Sequence, residues 1–147
     1  RGDIFAESTF AKQIAMIENN MIPPIVYTGN LNSLRTWADV RDAVKAYYLL
    51  VNSDFKPGDS FNIGGNFSCS IEDMLKYLIK ISYIDNIQIV TDQNRVRPID
   101  ADLQVPDTSK FKKMTSWEPE YSFEKTMLDL LNYWRQKVKN GNNFLIR

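Results

Sequence analysis

The sequence predicts an α/β fold. Short β-branched or aromatic runs alternate along the chain with longer segments whose apolar residues recur at helical spacing. Turn residues punctuate that alternation, among them Pro23-Pro24, Lys56-Pro57-Gly58-Asp59 and Asn140-Gly141. Composition agrees: 147 residues can bury a core, and 44% hydrophobic with 24% charged residues is ordinary for a globular domain.

Taken in order, Glu7 to Asn19 reads as a helix, with Phe10, Ile14 and Ile17 on one face and Ser8 or Thr9 as the cap. Lys12 falls near its start, where an anion also meets free backbone amides; a solvated lysine is the plainer expectation. Ile25 to Thr28 is a short strand closed by Gly29-Asn30. Arg35 to Ala38 is extended, and Asp39 caps a helix from Val40 to about Asn52. Val40, Ala43, Val44, Tyr47 and Leu50 or Val51 form that helix's expected buried stripe. Arg35, just before it, is a loop arginine expected to pair with Asp39 or Asp42 unless it has a ligand.

Ser60 to Ile63 reads as a brief strand stopping at Gly64-Gly65, a pair best explained by a turn with positive φ. Ser70 or Ser68 caps a helix from Ile71 to about Ser82, with Met74, Leu75, Leu78 and Ile79 as its apolar face. Ile87 to Thr91 is the clearest strand. Leu103 to Val105 is another, followed by a one- or two-turn helix from Asp107-Thr108-Ser109 that carries Phe111. Ser122 caps the last helix, Phe123 to about Asn140, whose stripe is Phe123, Met127, Leu130, Leu131, Trp134 and Val138.

Charge and residue usage exclude several chemistries. Lys+Arg and Asp+Glu are both 18, which argues against a broad surface for nucleic acid or anionic membrane. The chain has no histidine, so it cannot supply Ser-His-Asp or Cys-His catalysis, and no metal site is expected. Cys69 is the only cysteine, which fits a reducing, cytoplasmic setting. No apolar run approaches the ~20 residues of a spanning helix.

The stretch Arg95-Val96-Arg97-Pro98-Ile99-Asp100 is the strongest candidate for binding chemistry. The planar fork of arginine suits a phosphate, and Pro98 disfavours helix at Arg97. A carboxylate three residues on can accept sugar hydroxyls. Gly64-Gly65 belongs to no G-x-G-x-x-G or Walker pattern. Tyr121 and Lys125 spell Y-x-x-x-K, but Pro119 and the Ser122 cap put Tyr121 outside the helix, off the face of Lys125.

The ordered set Phe10-Ala11-Lys12-Gln13-Ile14, Gly29-Asn30-Leu31, Arg35-Thr36-Trp37-Ala38-Asp39-Val40, Asn62-Ile63-Gly64-Gly65, Arg97-Pro98-Ile99-Asp100, Asp107-Thr108-Ser109-Lys110 and Trp117-Glu118-Pro119 resembles the C-terminal part of an extended short-chain dehydrogenase/reductase. It is similar to the GDP-mannose 4,6-dehydratases and their GDP-6-deoxyhexose reductase relatives. The resemblance implies an N-terminal Rossmann half that carries NADP, with NAD as the other option, and the catalytic residues; none of the catalytic set maps onto this chain. It implies that Lys12, Arg35 and Arg97 contact a GDP-sugar diphosphate, that Asp100 contacts the ribose, and that Phe5 and Ser8 line the pocket. Asp100 stands where the family usually has Glu, and Thr36 where many members have Asp. Segments at about 37–64 and 103–110 would pack on the Rossmann half. The chain opens without an initiator methionine, and a fragment that does not fold stably alone is expected, homo-oligomeric as the full protein. The implied activity is conversion of GDP-mannose to GDP-4-keto-6-deoxymannose. The alternatives are a GDP-4-keto-6-deoxyhexose reductase, an epimerase, a GDP-heptose dehydratase, and a non-catalytic nucleotide-binding scaffold.

Overall fold

The computed structural model describes residues 4–96 and 103–141. Its elements are α1 (Ala6–Glu18), β1 (Ile25–Thr28), β2 (Leu34–Trp37), α2 (Val40–Val51), β3 (Phe67–Ser70), α3 (Ile71–Lys80), β4 (Gln88–Thr91), a 3-10 turn (Gln93–Arg95), β5 (Leu103–Gln104), α4 (Ser109–Thr115) and α5 (Phe123–Lys139). The expected α/β fold is present. The chain forms two compact units: Arg1–Ser33, Ser70–Ala101 and Met127–Arg147 make the first, and Leu34–Cys69 and Asp102–Thr126 the second. No described helix is long and apolar enough to cross a membrane.

In the first unit β1 and β4 pair in parallel, Val26 opposite Ile89 and Thr28 opposite Thr91. Parallel neighbours need a long crossover, and residues 29–87 between the strands provide it. Phe10, Ala11, Ile14, Ala15 and Ile17 of α1 are buried, as are Met74, Leu75 and Leu78 of α3 and Met127, Leu131, Trp134 and Val138 of α5. The helical periodicities of these three segments therefore mark the core face correctly. Gln13 fixes α1 to β1: its side-chain amide donates to the Tyr27 carbonyl at 3.1 Å and accepts the Tyr27 N–H at 2.8 Å. Ser70 caps α3 by accepting the Asp73 N–H at 3.0 Å. The cap expected at α1 is absent. That helix begins at Ala6, Phe5 holds the cap position without a side-chain bond, and Ser8 lies inside the helix.

In the second unit the sheet order is β3-β2-β5, with Leu34 opposite Leu103 in a parallel pair. Asp39 caps α2 by accepting the Arg41 N–H at 2.9 Å. Ser122 caps the start of α5 through the Lys125 N–H at 3.2 Å. Ala46, Phe111 and Trp117 are the buried centre, with Leu49, Leu50, Phe61, Ile63 and Met114 packed around them.

Three expectations for this unit are corrected. Residues 60–63 form no strand; the strand is Phe67–Ser70, which finds its partner in β2. A strand depends on having a neighbour, and this one outweighs the modest propensity of two serines and a cysteine. Most of the supposed buried stripe of α2 is open: Val40, Val44, Tyr47 and Val51 are 61–80% exposed, whereas Ala43 and Leu50 are half-buried and Asp42 and Ala46 are buried. Periodicity identified the apolar face, but among the described residues of this unit none covers it. Gly64 and Gly65 do not have positive φ. A Cβ on Gly65 would lie 1.7 Å from the Trp37 carbonyl oxygen, and one on Gly64 2.6 Å from Pro106 Cγ. Their missing side chains permit close backbone packing instead.

Candidate functional site

In the first unit the candidate residues lie along α1 and its N-cap. Phe5, Ser8 and Lys12 are separated by three and four residues, a spacing that stacks them along a helix. Ser8 is 1% exposed and Lys12 7%. Lys12 is the seventh residue of α1, beyond the four free amides of a helix start. It is neither solvated nor at the helix terminus. Its stem is buried, and its ammonium lies 5.8 Å from the centre of the Trp134 ring. The Trp134 indole N–H donates to Ser8 Oγ at 3.0 Å. Ser8 and Lys12 thus share one face of α1 just after Phe5, the residue at its N-cap, and both meet Trp134, a neighbour whose only sequence signal was its place in the α5 stripe.

Trp134 is held by the residue after it. Arg135 binds the Glu18 carboxylate in a fork, Nε to Oε2 and Nη2 to Oε1, both at 2.7 Å. The same Glu18 accepts the Tyr83 N–H at 3.0 Å, and the guanidinium lies 4.1 Å from the Tyr83 ring centre. The Glu18 hydrogen bond holds the Arg135 pKa above its ordinary value. This clamp sets α5 against the C-terminal end of α1, and the Trp134–Ser8 bond sets it against the N-terminal end.

Arg35 belongs to the second unit, on β2, where it is half-buried and its Nη1 donates to the Leu34 carbonyl at 3.1 Å. Its neighbours pin the strand: Thr36 Oγ1 and Ser68 Oγ are 2.9 Å apart, and the Trp37 indole donates to the Cys69 carbonyl at 3.4 Å. The two acids expected to pair with Arg35 have other duties. Asp39 accepts from Arg41 Nε at 2.8 Å, Arg41 Nη2 at 2.7 Å and Thr126 Oγ1 at 2.8 Å. The Arg41 hydrogen bond, above all, lowers the Asp39 pKa to about 2. Asp42 accepts two backbone N–H groups, those of Glu120 and Tyr121. The Tyr121 ring lies beneath Arg41, 3.7 Å from ring centre to guanidinium carbon.

Arg97 and Asp100 lie outside the described residues. The chain leading to them is ordered by Asp92, which caps the 3-10 turn through the Asn94 N–H at 3.0 Å and pairs with Arg95 Nε at 3.3 Å. Arg95 is therefore tied into its own turn, with its side chain partly exposed. Gly29 lets that turn approach, since a Cβ there would lie 2.3 Å from the Arg95 carbonyl oxygen. Among the described residues no group of His, Cys, Asp or Glu is placed to hold a metal ion. The Gly64-Gly65 pair is filled by Trp37 and Pro106 and offers no cradle for a dinucleotide phosphate.

The model of the family described as GDP-mannose 4,6 dehydratase matches residues 1–130. The GDP-6-deoxy-D-mannose reductase of Pseudomonas aeruginosa is 23% identical over 93% of this chain and 44% of its own length. The GDP-mannose 4,6 dehydratase of Dictyostelium discoideum is 25% identical over 82% and 38%, and the dTDP-glucose 4,6-dehydratase of Escherichia coli 30% over 78% and 35%. The solved structure of RMD from Pseudomonas aeruginosa complexed with NADPH superposes with a TM-score of 0.84 at 21% identity, covering 93% of this chain and 44% of that one. The chain spans less than half the length of these relatives.

Proposed function

The chain belongs to the GDP-mannose 4,6 dehydratase family of extended short-chain dehydrogenase/reductases, and from that premise we propose that it is the substrate-gripping C-terminal part of an NADP(H)-dependent GDP-mannose 4,6-dehydratase. The product is GDP-4-keto-6-deoxymannose. The family match across residues 1–130 is the observation that carries this proposal. Two relatives named for GDP-linked sugars, the dehydratase and the reductase, support a guanosine substrate.

Lys12, Arg35 and Arg97 hold the diphosphate, Asp100 accepts from the ribose, and Phe5 and Ser8 line the pocket. Charge-assisted hydrogen bonds to an anion contribute roughly 1.5–3 kcal/mol each, so two or three of them dominate binding. They act away from the reacting sugar and hold it in place for the chemistry. Small local cation sites on a chain of zero net charge fit a compact anionic ligand better than a polyanion.

The dinucleotide supplies the redox chemistry and is held by an N-terminal Rossmann half, a reading that the family match supports. The open face of α2 and the 103–110 segment dock on that half. The test is incubation of the intact protein with GDP-mannose and NADP+, followed by product analysis. Formation of the 4-keto-6-deoxy sugar nucleotide is the expected result.

A second activity, reduction of a GDP-4-keto-6-deoxyhexose, is supported by the Pseudomonas aeruginosa reductase, which matches 93% of the chain. Consumption of the keto sugar with NADPH, and no turnover of GDP-mannose, would select it.

A further inference from the structure

We propose that Trp134 is a positioning residue for the diphosphate-binding lysine, Lys12; this rests on the assignment of Lys12 made above. Three observations converge on the indole. It is 5% exposed, its N–H donates to Ser8 Oγ at 3.0 Å, and the Lys12 ammonium lies over its ring at 5.8 Å from the centre. Ser8 and Lys12 are one helical turn apart on α1, so a single side chain from α5 addresses both.

The physical effect is preorganisation. An exposed lysine loses much rotamer freedom when it binds an anion. Lys12 is 7% exposed, so most of that freedom is already gone in the fold. The indole N–H fixes the ring plane relative to α1, and the electron-rich face holds the ammonium without neutralising it. Lys137 lies over the same ring at 5.6 Å and over Tyr133 at 4.8 Å, which adds positive potential around the indole.

Calorimetric titration of the intact protein with GDP tests this, using Lys12→Met, Trp134→Phe, Trp134→Leu and the double variant Lys12→Met/Trp134→Leu. Lys12→Met should weaken GDP binding roughly tenfold or more. Trp134→Leu should weaken it roughly fivefold, and Trp134→Phe, which keeps a ring, should restore most of that loss. The double variant should bind no worse than Lys12→Met alone. A Trp134→Leu protein that binds GDP like the parent, or a double variant whose losses multiply, overturns the proposal.

Because Trp134 is buried, 5-fluorotryptophan at position 134 provides a readout that leaves the core intact. Its fluorine resonance should move on saturation with GDP, and move less in Lys12→Met. A resonance unmoved at saturation overturns the positioning role. Unchanged GDP affinity in Lys12→Met overturns the assignment of Lys12 itself, and with it this proposal. Lost affinity in Lys12→Met with a silent Trp134 overturns the positioning role alone.

Discussion

Asp42 accepts the backbone N–H of Tyr121 at 3.1 Å through one carboxylate oxygen and that of Glu120 at 3.0 Å through the other. The side chain is 1% exposed, so a charge is buried in order to terminate the loop before α5. Asp42→Ala would strand two amides. Each unsatisfied buried group costs about 1–3 kcal/mol, and because these two amides are part-buried the intact protein should lose roughly 1–4 kcal/mol. Asp42→Asn keeps one acceptor and turns a donor toward the other N–H, and should not recover the loss. Chemical denaturation, read as a lower midpoint at unchanged slope, checks this.

Asp39 makes a pH-dependent contribution whose sign follows from its folded pKa of about 2, lowered from 3.8. A depressed folded pKa means that the unfolded chain takes up the proton first as pH falls. The stabilisation is complete well above pH 3.8 and is lost as pH falls through 3.8 toward about 2. It amounts to roughly 2 kcal/mol. Stability of the parent minus that of Asp39→Asn should be constant from pH 5 to 7 and shrink below about pH 4. A difference that grows on acidification would contradict the assignment.

The open face of α2 carries a prediction about docking. Val40, Val44, Tyr47 and Val51 are more than half exposed on one helix, and Tyr48 adds to the patch. Covering a large apolar side chain contributes roughly 1.5–3 kcal/mol, so a partner here adds substantially to stability. The isolated 147-residue chain should bind a hydrophobic dye and melt without a cooperative transition. Val44→Asp should destabilise the intact protein while leaving the isolated chain little changed. A sharp melt of the isolated chain, with no dye binding, would contradict the prediction.

The same helix shows how far the sequence could be read. Its limits, its Asp39 cap and its apolar face were all legible, because local propensity, capping and periodicity set them. What covers that face is not set by any local pattern, and the expectation that the 37–64 segment packs on a Rossmann half came only from the resemblance. Asp42 was missed for a related reason: burying a carboxylate contradicts pattern rules, and only the two distant amides make it tolerable. The strand at 60–63 failed, and Phe67–Ser70 was missed, because neighbours decide pairing. In the site, Lys12, Ser8 and Phe5 came from a motif resemblance, and their shared helix face follows from spacing. The link from Trp134 to Ser8 spans 126 residues and could not be read from any local pattern.

If Arg97 grips the GDP moiety as proposed, calorimetric titration of the intact protein with GDP, GDP-mannose and UDP-glucose will show it. The parent should bind both guanosine ligands and discriminate against UDP-glucose. Arg97→Ala should lose affinity for GDP and GDP-mannose alike, by roughly tenfold or more, because a charged contact to the shared diphosphate is removed. Unchanged binding of GDP to Arg97→Ala would contradict the claim.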